Sequence, residues 1–469
     1  MTTAFPYHMP TIGAVVGRLE HVVEIDRASV VCPFGLISVL FFFVKYLIEK
    51  DGSDLYHARV YFSLLESFAS TVHPHLLDRS SWPVKDSRLV SLRRDLLSLL
   101  PPAQDHPKTR PYIFVYDHEV AEIQALSQGA SFCGKGQWGM EVHIHEWLLT
   151  STHLTRDPAE ADFFFVPAYS ICMFEAGFFS LARLDELYTS MVRELPYFSK
   201  HHGRDHIFTF GSGMSASVFK SWRREIPESI FLTPETWLFN DVPDVKEPCF
   251  NTSKDIAIPG YLHRHEIWSL VSRARPLAER EHLAVFLGRT DPSRGPHPSS
   301  NGPDVRGILR RLHHEGKIFV AQDLAIPEMH AVMGNARFCF VPKGKSAWSL
   351  RFYEALFANC VPVILSDHWE LPFEEFLTRT SFTIKWPESH VGDELLDFLR
   401  NHTDDALERY MSEARRHRCW YVYPSVLDEV HLAPGPDDLL SVCPNLDEEN
   451  AFGGILRVLG RKRRTVGSM

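Results

Sequence analysis

The stretch "ARFCFVP" (Ala336–Pro342), followed by "KGKSAWSLRFYEALFANCVPVILSD" (Lys343–Asp367), decides how this chain is read. An apolar run leads into a Gly-Lys-Ser loop, then an amphipathic segment, then a second apolar run. Short runs apolar on both faces, joined by a helical pattern, describe parallel strands covered on both sides. A Walker phosphate loop fails on spacing. It needs a glycine five positions ahead of the glycine of Gly-Lys-Ser, and that position is Cys339, inside the apolar run. What remains is a strand, a basic loop and a helix starting near Ser349. Lys343 and Lys345 set positive charge beside the helix start, Ser346 and Ser349 offer hydroxyls, and the first backbone N–H groups favour an anion. Arg351 and Glu354 are three apart and share one helix face. The arginine can fork onto phosphate oxygens, and the glutamate can accept from the vicinal hydroxyls of a ribose. The plain alternative is an ion pair on a solvated face. The basic loop and the β-α-β setting favour a nucleoside diphosphate.

Outward from this unit the same grammar repeats. "PYIFVYD" (111–117), "ADFFFVPAY" (161–169), "DHIFTFGSG" (205–213) and "SIFLTPE" (229–235) read as buried strands. Amphipathic segments such as "MEVHIHEWLLTS" and "LARLDELYTSMVREL" separate the first three. After "KDIAIPGY" (254–261) a second series begins: "HLAVFLGRT" (282–290), the helical "DVRGILRRLHH", "KIFVAQD" (317–323), the helical "IPEMHAVMGNA", and the opening stretch. Two doubly wound α/β domains follow, with ligands expected outside the carboxyl ends of the strands. The boundaries read as 1–50 for a tail and anchor, 51–109 for a helical stem, 110–260 and 261–425 for the two α/β domains, and 426–469 for a C-terminal tail. "TDPSRGPHPSSNGPD" (290–304) is a Pro/Gly/Ser-rich loop in which contacts by Arg294 or His297 are not legible.

The 469 residues are 45% hydrophobic with a net charge of −10, which argues against a general nucleic-acid binder. Eight scattered cysteines include no CxxC, so zinc-ribbon and thioredoxin readings lack support and the pairing stays open. Neither HExxH nor Asp-x-Asp occurs, and no metal site is expected. His143 and His145 alternate, which reads as polar or cleft histidines more readily than as metal ligands. "ASVVCPFGLISVLFFFV" (28–44), about 17 uncharged residues, is at the lower limit for a membrane span. It reads as a signal-anchor helix, with a buried helix as the alternative. Sequons at Asn251 and Asn401 fit a luminal body but carry little weight. The basic run Arg461–Arg464 reads as a solvated tail.

The block "FCFVPKGKSAWSLRFYEALFANCVPVILSDHWELPFE" (338–374) resembles the sugar-nucleotide motif of exostosin-family glycosyltransferases of plant and algal type. The likeness runs backward through "FLGR" (286–289), "KDIAIPG", "SIFLTPE", "ADFFFVPAY" and "YIFVYD", and so covers roughly 110–400. It implies a GT-B fold: two facing Rossmann-like domains, the second holding the donor and the first shaping the acceptor site. It further implies inverting, metal-independent transfer from a UDP- or GDP-sugar, with no cofactor, to a polysaccharide or glycan acceptor. A single-pass type II Golgi membrane protein with a luminal catalytic region is the implied setting, with hetero-complexes with other glycosyltransferases as candidate assemblies. The matching donor positions are Arg289, Lys343, Ser346, Ser349, Arg351 and Glu354, with Lys345 added by the charge of the loop.

Inverting transfer needs a base for the acceptor hydroxyl, expected at a strand's carboxyl end in the first domain. Asp117 and His118 rank first, ahead of Glu175 and Glu235; each is also a common turn or capping residue. Trp138, Tyr169 and Trp237 could stack on sugar rings, although core packing is the commoner use. A catalytically inactive scaffold subunit of a polysaccharide synthase complex is the alternative to an active transferase.

Overall fold

The computed structural model describes residues 110–116, 123, 134, 136–177, 179–237, 250–290, 303–344, 346–424 and 439–466. The 28–44 segment, the 51–109 stem, and Asp117, His118, Arg294, His297 and Lys345 lie outside the described residues. Among those described, no helix is long and apolar enough to cross a membrane.

Two sheets, all of whose pairings are parallel, lie in one compact unit. The first contains β1 (Ile113–Val115), β2 (Leu154–Thr155), β3 (Phe163–Val166), β4 (His206–Thr209), β5 (Ile230–Thr233) and β6 (Ile256–Ala257), in the order β2-β1-β3-β4-β5-β6. The second contains β7 (His282–Leu287), β8 (Phe319–Ala321), β9 (Ala336–Pro342), β10 (Val361–Leu365) and β11 (Ile384–Lys385), in the order β11-β10-β9-β7-β8. The expected pair of α/β units is therefore present. The two-residue strands β2 and β11, at the sheet edges, are additions that no apolar run announced.

The double-sided apolar runs fold this way because successive side chains point to opposite faces. Phe163 and Phe165 join a cluster that continues into Val285, Cys339 and Val341 of the second sheet. Phe164 and Val166 face the other way, under the helix Leu181–Glu194. That helix buries Leu184, Tyr188, Met191 and Val192, one stripe at 3.6-residue spacing, and Ser180 caps it by accepting from the Arg183 N–H.

In each sheet the chain winds outward one way and then crosses back to wind the other way. The reversal falls between β1 and β3 in the first sheet and between β7 and β9 in the second. At such a switch point the connections leave on opposite faces and a crevice opens beyond the strands' carboxyl ends.

The two carboxyl edges meet. Just past β5, the Thr236 hydroxyl accepts from the Glu370 N–H at 2.8 Å, and the Trp237 ring stacks on His368 at 3.8 Å with planes 8° apart. The segment 426–469, expected as a tail, contains a 16-residue helix, Ala451–Val466. Its Phe452 stacks on Trp147 of the first lobe at 4.6 Å. Arg461, though exposed, donates to the Glu375 carbonyl, and the half-buried Lys462 donates to that of Thr252.

Disulfides join Cys339 to Cys360 and Cys419 to Cys443, and Cys172 is disulfide-bonded as well. The first, with a sequence separation of 21, closes the base of the β9–loop–helix–β10 unit. A loop of that length stabilises the native state by about 3 kcal/mol, chiefly through the unfolded chain. Replacing both Cys339 and Cys360 by serine is expected to lower stability by about that amount in a urea titration. An unchanged midpoint and slope would contradict the bridge.

Candidate functional site

The site is built at the β7/β9 crevice. β9 ends at Pro342, and the Lys343 N–H continues the ladder by donating to the Leu365 carbonyl at 3.1 Å. The chain then loops through 343–350 into the helix Arg351–Phe357. The expected helix is present and starts two residues beyond Ser349, whose hydroxyl accepts from the Arg351 N–H at 3.3 Å. Seven residues make only about two turns, so charge at this spot comes mainly from side chains.

Four cationic residues stand on the segments that meet there. Arg289 lies exposed immediately after β7. Lys343 pairs with the buried Glu388, which is locked by mutual backbone bonds with Asp367. Arg351 pairs with Glu354 at 2.5 Å, but Glu354 is only 5% exposed, so the pair is largely buried rather than a surface bridge. Burial raises the Glu354 carboxyl above its ordinary value, and Arg351 opposes that rise.

The fourth cation, Arg306, escapes notice in the sequence because it follows the loop after β7 at the start of the helix Val305–His314. It spans the crevice: Nη1 donates to the Arg289 carbonyl at 2.9 Å and Nε to the Lys343 carbonyl at 3.0 Å. A side chain at Gly344 would come within 3.1 Å of its Nη2, so glycine there permits the close approach. Burial and the nearby Arg351 charge both push the Arg306 guanidinium below its usual range. The same field reaches His330 on the neighbouring helix, pushed down to about 4 by burial, Arg351 and Arg273. Glu388 and Glu354 offset Lys343 and Arg351. Arg289 and Arg306 have no carboxylate ion-pair partner among the described residues. Asp304 acts on Arg306 electrostatically without pairing with it, and the cations among the described residues leave a crevice that suits an anionic ligand.

The loop itself is held from the first lobe. Glu235, fully buried beyond β5, accepts from the Ala347 N–H at 3.2 Å and bonds the Ser346 side chain. Ser346, read in the sequence as a donor-binding hydroxyl, thus meets a carboxylate here. Glu235, read as one candidate base, occupies its oxygens with Trp237, Ser346 and Ala347. The Ser366 hydroxyl donates to the Ala347 carbonyl at 2.9 Å. Trp348 packs over Gly260, where an added Cβ would stand 2.7 Å from the indole.

In the first lobe, β1 runs to Val115, and the Tyr116 N–H donates to the Phe165 carbonyl at 3.1 Å. Glu175 is exposed on the helix Ser170–Ala176. Of the aromatics expected against sugars, Trp237 has a ring face on His368 and Tyr169 is buried against His145. His143 and His145 are buried on the helix Met140–Thr150, with His143 stacked on Tyr261 at 4.3 Å. One carboxylate was missed: Glu141, buried past the ends of β3 and β4. It accepts from the Ser170 hydroxyl and from the N–H groups of Ile171, Cys172 and Gly211, tying the two loops together.

A family model described as the Exostosin GT47 domain matches residues 107–402. The chain belongs to the exostosin GT47 family. GT47 relatives include an Arabidopsis thaliana protein named "Probable glucuronoxylan glucuronosyltransferase F8H", 28% identical over 59% of this chain and 59% of the relative. Another, "Probable glucuronoxylan glucuronosyltransferase IRX7", also from Arabidopsis thaliana, is 24% identical over 75% of this chain and 78% of the relative. "Probable beta-1,4-xylosyltransferase IRX10L", from the same plant, is 24% identical over 58% of this chain and 66% of that protein. The chain thus aligns with about three-fifths of the length of the first of these relatives.

Burial lifts the Glu235 carboxyl from 4.5 to about 7, and the hydrogen bonds it accepts restrain the rise. The native state therefore holds this proton more tightly than the unfolded chain. Its stabilising contribution is complete below about pH 4.5 and is lost as pH rises through about 7, a swing of about 3 kcal/mol. Glu235→Gln is expected to flatten the stability–pH curve between these values in denaturant titrations. Glu141, shifted to about 7 by the same cause, should leave a residual slope. A variant as steep as the wild type would contradict the burial of this carboxylate.

Proposed function

We propose that the protein is an inverting glycosyltransferase that moves a sugar from a UDP- or GDP-sugar to a polysaccharide or glycan acceptor. The observation that carries the reading is the pair of guanidiniums, Arg289 and Arg306, at the β7/β9 crevice of a GT47 chain, neither with a carboxylate ion-pair partner among the described residues. The facing carboxyl edges of the two lobes fit a GT-B arrangement, with the donor against the second lobe and the acceptor against the first. The names of the relatives support a glucuronosyl or xylosyl donor and a xylan-type acceptor.

In this reading the acceptor hydroxyl loses its proton to a base and attacks C1 of the donor sugar from the face opposite the diphosphate. The bond between C1 and the diphosphate oxygen breaks, and the anomeric configuration inverts. Charge grows on the leaving diphosphate, where Arg289, Arg306, Lys343 and Arg351 supply positive charge already fixed in place. That cation set removes the need for a bound ion, so the mechanism is read as metal-independent. Glu354, held beside Arg351, is the candidate acceptor for the ribose hydroxyls. Asp117 and His118, which come after β1 in the sequence, are the base candidates. The disulfides support an oxidising compartment, consistent with a Golgi lumen and a type II anchor at 28–44.

The direct test is a panel of UDP- and GDP-sugars offered with xylan oligosaccharides. Transfer with inversion, undiminished by EDTA, is the expected result. Nucleotide binding without turnover on any acceptor would favour the inactive scaffold, and loss of activity on chelation would overturn the metal-free mechanism. Arg306→Ala should weaken UDP binding by about 1.5–3 kcal/mol, roughly ten- to hundredfold in Kd. An unchanged titration curve would remove Arg306 from the site.

A further inference from the structure

Positive charge also gathers at the opposite, amino-terminal edge of the first sheet. A cavity of about 610 Å³ opens there, with Arg110 and Pro111 just ahead of β1 on one wall. The other wall is the helix Ala451–Val466, which presents Gly453, Leu456, Arg457, Gly460 and Arg461. Those positions follow one another by three, one, three and one, a single stripe of an α-helix. The volume lies within the ~300–1,000 Å³ range of small-molecule sites.

The arginines are placed by rings and carbonyls more than by carboxylates. Arg457 lies over the Phe376 ring at 4.4 Å and near Trp420 at 5.9 Å. Arg461 lies 5.8 Å from Phe376 and donates to the Glu375 carbonyl at 2.9 Å. Among the described residues neither forms an ion pair with a carboxylate. Arg110 is balanced by Asp162 at 2.8 Å and lies over the Tyr112 ring. The cavity thus keeps two uncompensated guanidiniums in fixed positions, beside the apolar surfaces of Leu456 and Pro111. Guanidinium forks match carboxylates, and the C–H faces of a pyranose ring match aliphatic side chains. A Cβ at Gly460 would meet nothing within 4 Å, so a side chain placed there would project into open space.

We propose that this cavity is a second glycan site, which binds a carboxylate-bearing sugar of an acidic chain away from the catalytic cleft. The proposal rests on the polysaccharide-acceptor reading and adds a site that holds an acidic chain while the cleft acts elsewhere on it.

The test is calorimetric titration of the full chain with tri-galacturonate, with xylotriose as a neutral trisaccharide and with inorganic phosphate. Tri-galacturonate is expected to bind at least about tenfold more tightly than either control, with affinity falling as salt rises. The Arg457→Ala/Arg461→Ala variant and Gly460→Trp, which fills the cavity from an open position, should each weaken that binding about tenfold or more. Thermal unfolding of both variants checks the fold, and they reach the cavity by independent routes. Equal affinity for either control, or undiminished binding in a folded variant, would overturn the proposal. UDP titration of the same samples separates the two readings: the variants should bind UDP as the wild type does. Loss of UDP binding by all forms would count against the donor site and leave the cavity result to stand alone.

Discussion

Arg306 spans a gap that the topology leaves open. Because β7 and β9 are neighbours at the point where the winding reverses, their connections depart on opposite faces and a crevice is expected at their carboxyl ends. The guanidinium closes that gap by holding one carbonyl from each strand end, Arg289 and Lys343, and it cannot neutralise itself by losing a proton. A fixed positive charge is therefore built into the place where two loops must keep their spacing. The neighbouring Arg351 adds like charge, and the cheapest relief for like charges in a half-buried crevice is an anion.

The second lobe does not form this site alone. Glu235 reaches across from the end of β5 and takes the Ala347 N–H and the Ser346 side chain, so the loop's conformation depends on the first lobe. A carboxylate at zero exposure is costly. Burial raises its proton affinity, and the several donors it accepts from offset part of that cost. Thr236 and Trp237 extend the contact to Glu370 and His368. The helix Ala451–Val466 adds a return contact onto the first lobe through Phe452. The lobes are thus joined both at the cleft and behind it.

Much of the fold was legible because parallel strands buried on both faces leave dense apolar runs. Phe163–Val166 and Val361–Leu365 could be read as strands from four or five letters. Leu154–Thr155 and Ile384–Lys385 could not, because a two-residue edge strand has no pattern and exists only through its neighbour. The C-terminal helix had a readable stripe in Ala451, Phe452, Ile455, Val458 and Leu459, but its glycines and basic end pulled the reading toward a tail. In the site, the loop and the Arg351/Glu354 spacing were visible since both are local. Glu388 against Lys343 and Arg306 across the crevice were not, because each depends on segments far apart in the chain meeting at one strand end. Glu235 was visible as a carboxylate after a strand, yet only the packing shows that its oxygens are committed to the opposite loop. The pairing of Cys339 with Cys360 was hidden for the same reason.

The account stands on the claim that the cation cluster at the ends of β7 and β9 receives a diphosphate. A crystal structure of the protein with UDP tests it most directly. The account predicts phosphate oxygens at hydrogen-bonding distance, about 3 Å, from Arg306 and from at least one of Arg289, Lys343 and Arg351. Diphosphate density anywhere other than between those two strand ends would contradict it.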